Sequence, residues 1–294
     1  MANAPARQRS GAGFARLLLF PPAVWMTLFF ALPLGLVFLY SIGDSNTYGG
    51  VTFGCTLKNY RAIWDPFFLN IFLRSLLYST GITVLSLLLA MPLAYVMACA
   101  PARWQKVMMF LIIIPFWTNF LVRMFAFIVL LGDNGLVNTL LTRLGVIGEP
   151  LPMMNSLFAV IVGFVYWNLP YMVLPLYAAL ERMEVAHVEA AMDLGAGRFT
   201  AFRTITLPAS VPGIIAGVIF CFIPTLGCFV IPDILGGPDN LMIGNIITLQ
   251  FLQARNWPLG SAFATIFITL VMVMISLGIR YYTPANEKAR GSVL

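Results

Sequence analysis

Glu189-Ala190-Ala191-Met192-Asp193-Leu194-Gly195, followed by Ile205-Thr206-Leu207-Pro208, is the stretch on which the reading of this chain turns. Its spacing is E-A-A-x3-G-x9-I-x-L-P, a polar loop between two long apolar runs. From Glu181 to Leu194 there is no Pro or Gly, and Ala, Glu, Met and Leu recur, which predicts a helix. Gly195, with Ala196-Gly197 after it, predicts where that helix stops, because glycine accepts a left-handed cap. A second short helix is expected from Arg198 to Ile205. Pro208 is expected to break it, Ser210 to cap the next span and Pro212 to sit in that span's first turn. Ala190 and Ala191 are small enough for another surface to approach the backbone. Glu189 and Asp193 lie one turn apart on one face, a compact acidic patch. A solvated loop helix would account for any one of these features, whereas the whole pattern between two apolar spans points to docking.

The surroundings of the loop fix the compartment. Of 294 residues 60% are hydrophobic and 10% charged, with a mean hydropathy of +0.91, whereas a soluble domain is about a quarter charged. A span needs roughly 20 mostly apolar residues. Six segments qualify: Leu17 to Tyr40, Ser75 to Ala98, Val107 to Leu131, Asn155 to Leu180, Ser210 to Ile231 and Ala262 to Ile279. The first is read as a retained anchor, too long for the apolar core of a signal peptide and with no A-x-A site after it. Leu241 to Leu252 is apolar but too short to cross, and is expected at the surface or as a re-entrant segment.

Charge orients the spans. Arg7, Arg9 and Arg16 precede the first; Arg103 and Lys106 follow the second; Arg182, Arg198 and Arg203 follow the fourth; Arg280, Lys288 and Arg290 follow the sixth. These are eleven of the 17 cations, and the positive-inside rule puts that side in the cytoplasm. The net charge of +6 is spread over loops, which fits topology rather than a nucleic-acid surface. The expected fold is therefore all-α and integral to the membrane, with six transmembrane helices and both termini cytoplasmic. The expected tails are residues 1–16 and 281–294, and the transmembrane domain is 17–280, with the loop 181–209 inside it.

Several chemistries lack their residues. The four cysteines, Cys55, Cys99, Cys221 and Cys228, show no disulfide or metal spacing. Cys221 and Cys228, seven apart, read as small apolar packers on one face of a span. His187, the sole histidine, has no second ligand nearby and reads as a solvated helix residue. An intramembrane enzyme would need paired acids, a Ser-His pair or a metal cluster at depth. An autonomous channel or ion-coupled carrier would show inverted repeats or buried charge relays. Neither pattern is seen. There is also no G-x-x-x-x-G-K-[ST] loop, since Lys58, Lys106 and Lys288 do not follow a glycine.

The loop pattern, at every position, resembles the signature loop of the permease subunits of bacterial ABC importers. Two further segments, Ile114-Pro115-Phe116-Trp117-Thr118-Asn119-Phe120-Leu121-Val122-Arg123 and Phe229-Val230-Ile231-Pro232-Asp233-Ile234-Leu235-Gly236-Gly237, resemble the first permease subunit of spermidine/putrescine importers. The resemblance implies a bacterial inner-membrane chain paired with a second, homologous permease, two ABC ATPase subunits and a periplasmic substrate-binding protein. It implies that Glu189, Ala190, Ala191 and Gly195, with Asp193 beside them, meet the ATPase. It also implies that ATP and magnesium belong to that partner, so that this chain carries no catalytic residue, metal or cofactor of its own. Transport would run by alternating access, with the loop as the lever. The same machine could carry another solute, such as an amino-acid derivative, sulfate, phosphonate or iron.

Polar and aromatic side chains inside spans are the candidate passage. They are Trp117 and Asn119 on the third span, Tyr166, Trp167 and Tyr171 around Pro170 on the fourth, and Asp233 at the outer end of the fifth. Aromatic faces attract cations without holding them tightly, which suits a flexible polycation. Each also has a packing role open to it, since Trp and Tyr mark membrane interfaces and Asn joins helices. Arg123 can snorkel or pair with another subunit.

Overall fold

The computed structural model describes residues 10–46, 50–52, 54–183 and 185–291. Residues 1–9 and 292–294 of the expected tails, and Glu184 of the loop, lie outside the described residues. Six helical stretches among those described are long and apolar enough to cross a membrane: Leu18–Ser41, Pro66–Cys99, Phe120–Arg143, Leu157–Leu180, Arg198–Gly227 and Trp257–Gly278. The chain divides into two compact units, residues 1–65 with 249–267, and residues 66–248 with 268–294.

In the first unit, α1 (Ser10–Met26) runs through one π-helical turn into α2 (Leu32–Ser41). Most apolar side chains from Leu18 to Leu39 are exposed, with Leu34 and Val37 half-buried. Lipid is as good a solvent for them as a protein core, so burial within the chain is not required. A two-strand hairpin, β1 (Asp44–Ser45) with β2 (Val51–Thr52), and the short α3 (Lys58–Ala62) follow. Asn59 ties them down, donating to the carbonyls of Ser41 at 3.0 Å and Gly43 at 2.7 Å.

The second unit is a helical bundle. Its helices are α4 (Pro66–Cys99), α5 (Ala102–Ile113), α6 (Phe120–Leu131), α7 (Leu136–Arg143), α8 (Leu157–Leu180), α9 (Val185–Asp193), α10 (Arg198–Ala201) and α11 (Leu207–Gly227). Two helices start or end in the other unit, α12 (Ile243–Leu252) and α13 (Trp257–Gly291). α8 is central, packed on α4 and α11. Small residues make this possible, because helices in lipid associate by close packing rather than by water exclusion. α4 turns Ser75, Ser79, Thr83, Ser86, Ala90 and Ala94 inward, all buried. On α11, a Cβ at Gly213 would stand 2.6 Å from the Pro175 carbonyl oxygen, so only glycine fits that crossing.

Three local expectations are corrected. The third span is not one helix over 107–131. It breaks after a 3-10 turn at Ile114–Trp117, where Thr118 and Asn119 are extended and the Asn119 side chain caps α6 by accepting from the Leu121 N–H at 2.8 Å. Pro115 is the cause, since its ring removes a donor and clashes with the preceding turn. Pro208, in contrast, breaks nothing. A π-helical turn at Phe202–Thr206 leads from α10 directly into α11. The wider turn relieves the clash between ring and carbonyl. Ser210 is consequently no cap; its hydroxyl donates to the Leu207 carbonyl at 2.8 Å. The start of α12, for which the sequence left surface and re-entrant placements open, is packed into the chain. Met242, Ile243 and Ile246 are buried, and Asn245 locks the turn by accepting from the Met242 N–H and donating to the Phe229 carbonyl at 2.9 Å.

Candidate functional site

Two places carry the candidate residues. The first is the loop between α8 and α11. α9 begins at Val185, after a turn over Glu181–Met183, and ends in a Schellman cap. The Gly195 N–H donates to the Met192 carbonyl at 2.9 Å and the Ala196 N–H to the Ala191 carbonyl at 3.0 Å. Gly195 has φ +88° and open space around it, so the left-handed backbone, not crowding, requires glycine there. Glu189, Ala190 and Asp193 are exposed, and Ala191 is half-buried.

The apolar side chains of this loop also face outward. Leu194 is 90% and Phe199 76% exposed, and Met192 is exposed beside them. Acids thus stand beside unburied apolar groups on one exposed surface, the composition of an interaction site. The loop is anchored from beneath. Phe202 meets Tyr95 edge-on at 6.3 Å, and Ala201 and Thr206 are buried. Phe202 and Leu207 line an apolar groove of about 440 Å³ with Leu87, Met91, Tyr95 and Ile214. Leu194, Phe199 and Phe202 were missed from sequence, where hydrophobic residues inside a motif look like a buried helix face. Their high number in a loop of otherwise polar character was the available signal.

The second place lies where α5, α6 and α8 meet. Tyr166, Trp167 and Tyr171 each meet a phenylalanine there that the sequence reading passed over. Phe116 meets Tyr171 edge-on at 5.1 Å, Phe120 leans on Trp167 at 5.1 Å, and Phe127 meets Tyr166 at 5.3 Å. Trp167 also stacks on buried Phe164 at 6.4 Å. The Arg123 guanidinium lies over the Phe116 ring at 5.5 Å. A pocket of about 130 Å³ opens between them, lined by Phe116, Arg123, Tyr166, Leu93, Leu169 and Pro170 among others. Below this layer Asn168 donates to the Thr225 hydroxyl at 2.9 Å, joining α8 to α11, and the Cys221 thiol lies 3.5 Å from the Asn168 carbonyl.

The other candidates stand apart from this cluster. Trp117 is 82% exposed, Asn119 is engaged in capping α6, and Asp233 is exposed at the start of a π-helical turn, Pro232–Gly236. Phe116 rather than Trp117 faces the aromatic layer because the break at Pro115 resets the helical phase. Among the described residues no group of three or more His, Cys, Asp or Glu is placed to hold a metal ion.

Comparison with known proteins adds four likenesses. Residues 90–285 match the family described as binding-protein-dependent transport system inner membrane component. The chain is 38% identical to the spermidine/putrescine transport system permease protein PotB of Haemophilus influenzae, over 90% of this chain and 91% of that one. It is 39% identical to the protein of the same name from Escherichia coli, over 86% of this chain and 92% of that one. Among solved structures, a chain of a bacterial alginate ABC transporter in complex with a periplasmic protein superposes with a TM-score of 0.72 at 17% identity, over 90% of this chain and 92% of that chain. That last likeness concerns the fold.

Proposed function

The chain belongs to the family of binding-protein-dependent transport system inner membrane components, and from that premise we propose that it passes spermidine or putrescine into the cytoplasm. It is a multi-pass inner-membrane permease subunit of an ABC transporter, not an enzyme family in itself. The observation that carries the cargo is the identity to the two PotB proteins across most of both chains. ATP hydrolysis, with its magnesium, is assigned to separate ATPase subunits, two per complex. A second permease and a periplasmic binding protein complete the assembly. Both termini and the 181–209 loop face the cytoplasm, as the distribution of Lys and Arg favours.

The loop geometry supports a lever. A rigid, glycine-capped α9 presents Glu189, Asp193 and Leu194, while α10 is continuous with the spanning α11. A push on Phe199 of α10 therefore reaches the span through continuous helix, while a push on α9 passes first through the Gly195–Gly197 turn, the kind of hinge about which rigid elements move. The aromatic layer of Phe116, Tyr166, Trp167 and Tyr171 is the assigned wall of the passage, with cation–π attraction strong enough to guide an amine and weak enough to release it.

One observation favours a different solute in the same machine. No Asp or Glu lies in α4, α6, α8 or α11, and Arg123 lines the pocket. ATP hydrolysis by the complex co-purified with its partners and binding protein, with and without spermidine or putrescine, decides between them. Stimulation by a polyamine is the expected result. Stimulation only by another solute would keep the transporter and discard the polyamine.

A further inference from the structure

Arg123 poses a problem that the chain does not solve by itself. It lines one pocket with Tyr166, Leu169 and Pro170 of α8. α8 has 24 residues, so at 1.5 Å per residue these side chains stand roughly 14–20 Å from its start and roughly 15–21 Å from its end. That is the middle of the bilayer. The Arg123 Nε is buried and has no acceptor, and no acidic side chain among the described residues forms an ion pair with it. Its guanidinium is turned inward over Phe116 instead of reaching toward a headgroup. A charge at this depth persists only when paired or when it faces water. The aliphatic lining of the pocket offers few groups to hold a water in place.

The same position is open on one side. Arg123 sits on the flank of α6 between the buried Met124 and the exposed Val122. Val122 and Val129, both exposed, continue that open face along the helix.

We propose that Arg123 is the charged contact of this chain with the second permease subunit, which lays a carboxylate against the guanidinium at mid-membrane depth, with Val122 and Val129 as the apolar rim of the contact. This rests on the reading of the chain as one of two paired permeases. A carboxylate is the acceptor that matches a guanidinium in two-pronged geometry and neutralises it. Neutralisation also removes the obstacle that a bare cation beside the passage would present to a polyamine. A lipid headgroup would have to descend to the bilayer centre, and a cationic cargo would be repelled.

The test uses the complete complex, co-expressed with its partners and captured through a tag on this chain. Arg123→Glu is expected to lower recovery of the second permease at least tenfold, and reversing one membrane-depth Asp or Glu of that permease to Arg is expected to restore it. Arg123→Lys is expected to keep part of the recovery. A photo-crosslinker at Val122 in the otherwise unaltered chain, which does not depend on tolerance of the Glu, is expected to capture the second permease. Unchanged recovery with Arg123→Glu, failure of every single reversal to restore it, or capture only of lipid at Val122 would overturn the contact. So would an anionic solute that stimulates the unaltered complex and loses its effect with Arg123→Lys. If no second permease accompanies the unaltered chain while an ATPase does, the paired-permease reading fails, and the contact with it.

Discussion

The guanidinium of Arg123 and the ring of Phe116 face each other at 5.5 Å across the break that Pro115 makes in the third span. Phe116 also meets Tyr171 on α8, so one ring holds the cation on one side and the aromatic layer on the other. The break is what permits this. In an unbroken helix Phe116 and Arg123, seven residues apart, would stand two turns from each other on one face, roughly 10 Å apart along the axis.

Phe116→Leu keeps bulk and removes the ring. Losing a cation–π contact of about 0.5–1 kcal/mol is expected to lower polyamine uptake in proteoliposomes about two- to fivefold, with the amount of assembled complex unchanged. Trp117→Ala, at an exposed site outside the layer, is expected to have the smaller effect. The reverse order would return the passage to Trp117.

Asn168 and Thr225 are both buried and bonded to each other between α8 and α11. Hydrogen bonds between spans contribute about 0.6 kcal/mol and up to about 1.7. Asn168→Ala and Thr225→Val are each expected to lower the midpoint of thermal unfolding of the purified complex. The double variant should lose less than the two single losses combined, because neither group is then left without its partner. Strict additivity would mean that the bond contributes nothing.

Gly213 and Gly197 offer a matched pair. A methyl at Gly213 collides with the Pro175 carbonyl, whereas Gly197 has open space and a φ of −67° that any residue adopts. Gly213→Ala is expected to cost about 1–3 kcal/mol of stability by forcing α8 and α11 apart, and Gly197→Ala close to nothing. Equal thermal stability of the two variants would contradict the close crossing.

At the loop, Glu189→Lys and Leu194→Asp act on the exposed patch without touching the bundle core. Each is expected to reduce substrate-stimulated ATP hydrolysis about tenfold, the scale of a central docking residue worth 1–2 kcal/mol, while membrane insertion stays intact. Gly195→Ala forces a left-handed residue at a cost of about 1 kcal/mol and should weaken coupling by misdirecting the patch. Wild-type coupling in all three would remove the docking role from this loop.

Much of the loop was legible because its determinants are local. A run without Pro or Gly followed by glycine writes a helix and its end into adjacent residues, and Gly195 caps α9 where the pattern placed it. The breaks were less legible. Pro115 and Pro208 carry the same chemistry, yet one ends a helix and the other is absorbed by a π-helical turn. Which occurs depends on whether neighbouring elements hold the widened turn. Around Phe202 they do, through Tyr95 and the buried Ala201 and Thr206. Asn119 shows the cost of missing a break, since a residue read as lining a passage is spent on a backbone N–H.

The sequence by itself determined the six apolar stretches, the glycine-capped loop helix and the scarcity of charge at depth, since these follow from hydropathy and the backbone preferences of single residues. Only the tertiary structure decided which polar and aromatic groups meet. Helical phase resets at Pro115–Asn119 and slips at Phe202–Thr206, so sequence spacing across those points no longer reports a shared face. Phe116 meets Arg123 across the local break, and Asn168 meets Thr225 because helices from distant parts of the chain pack where small residues let them approach.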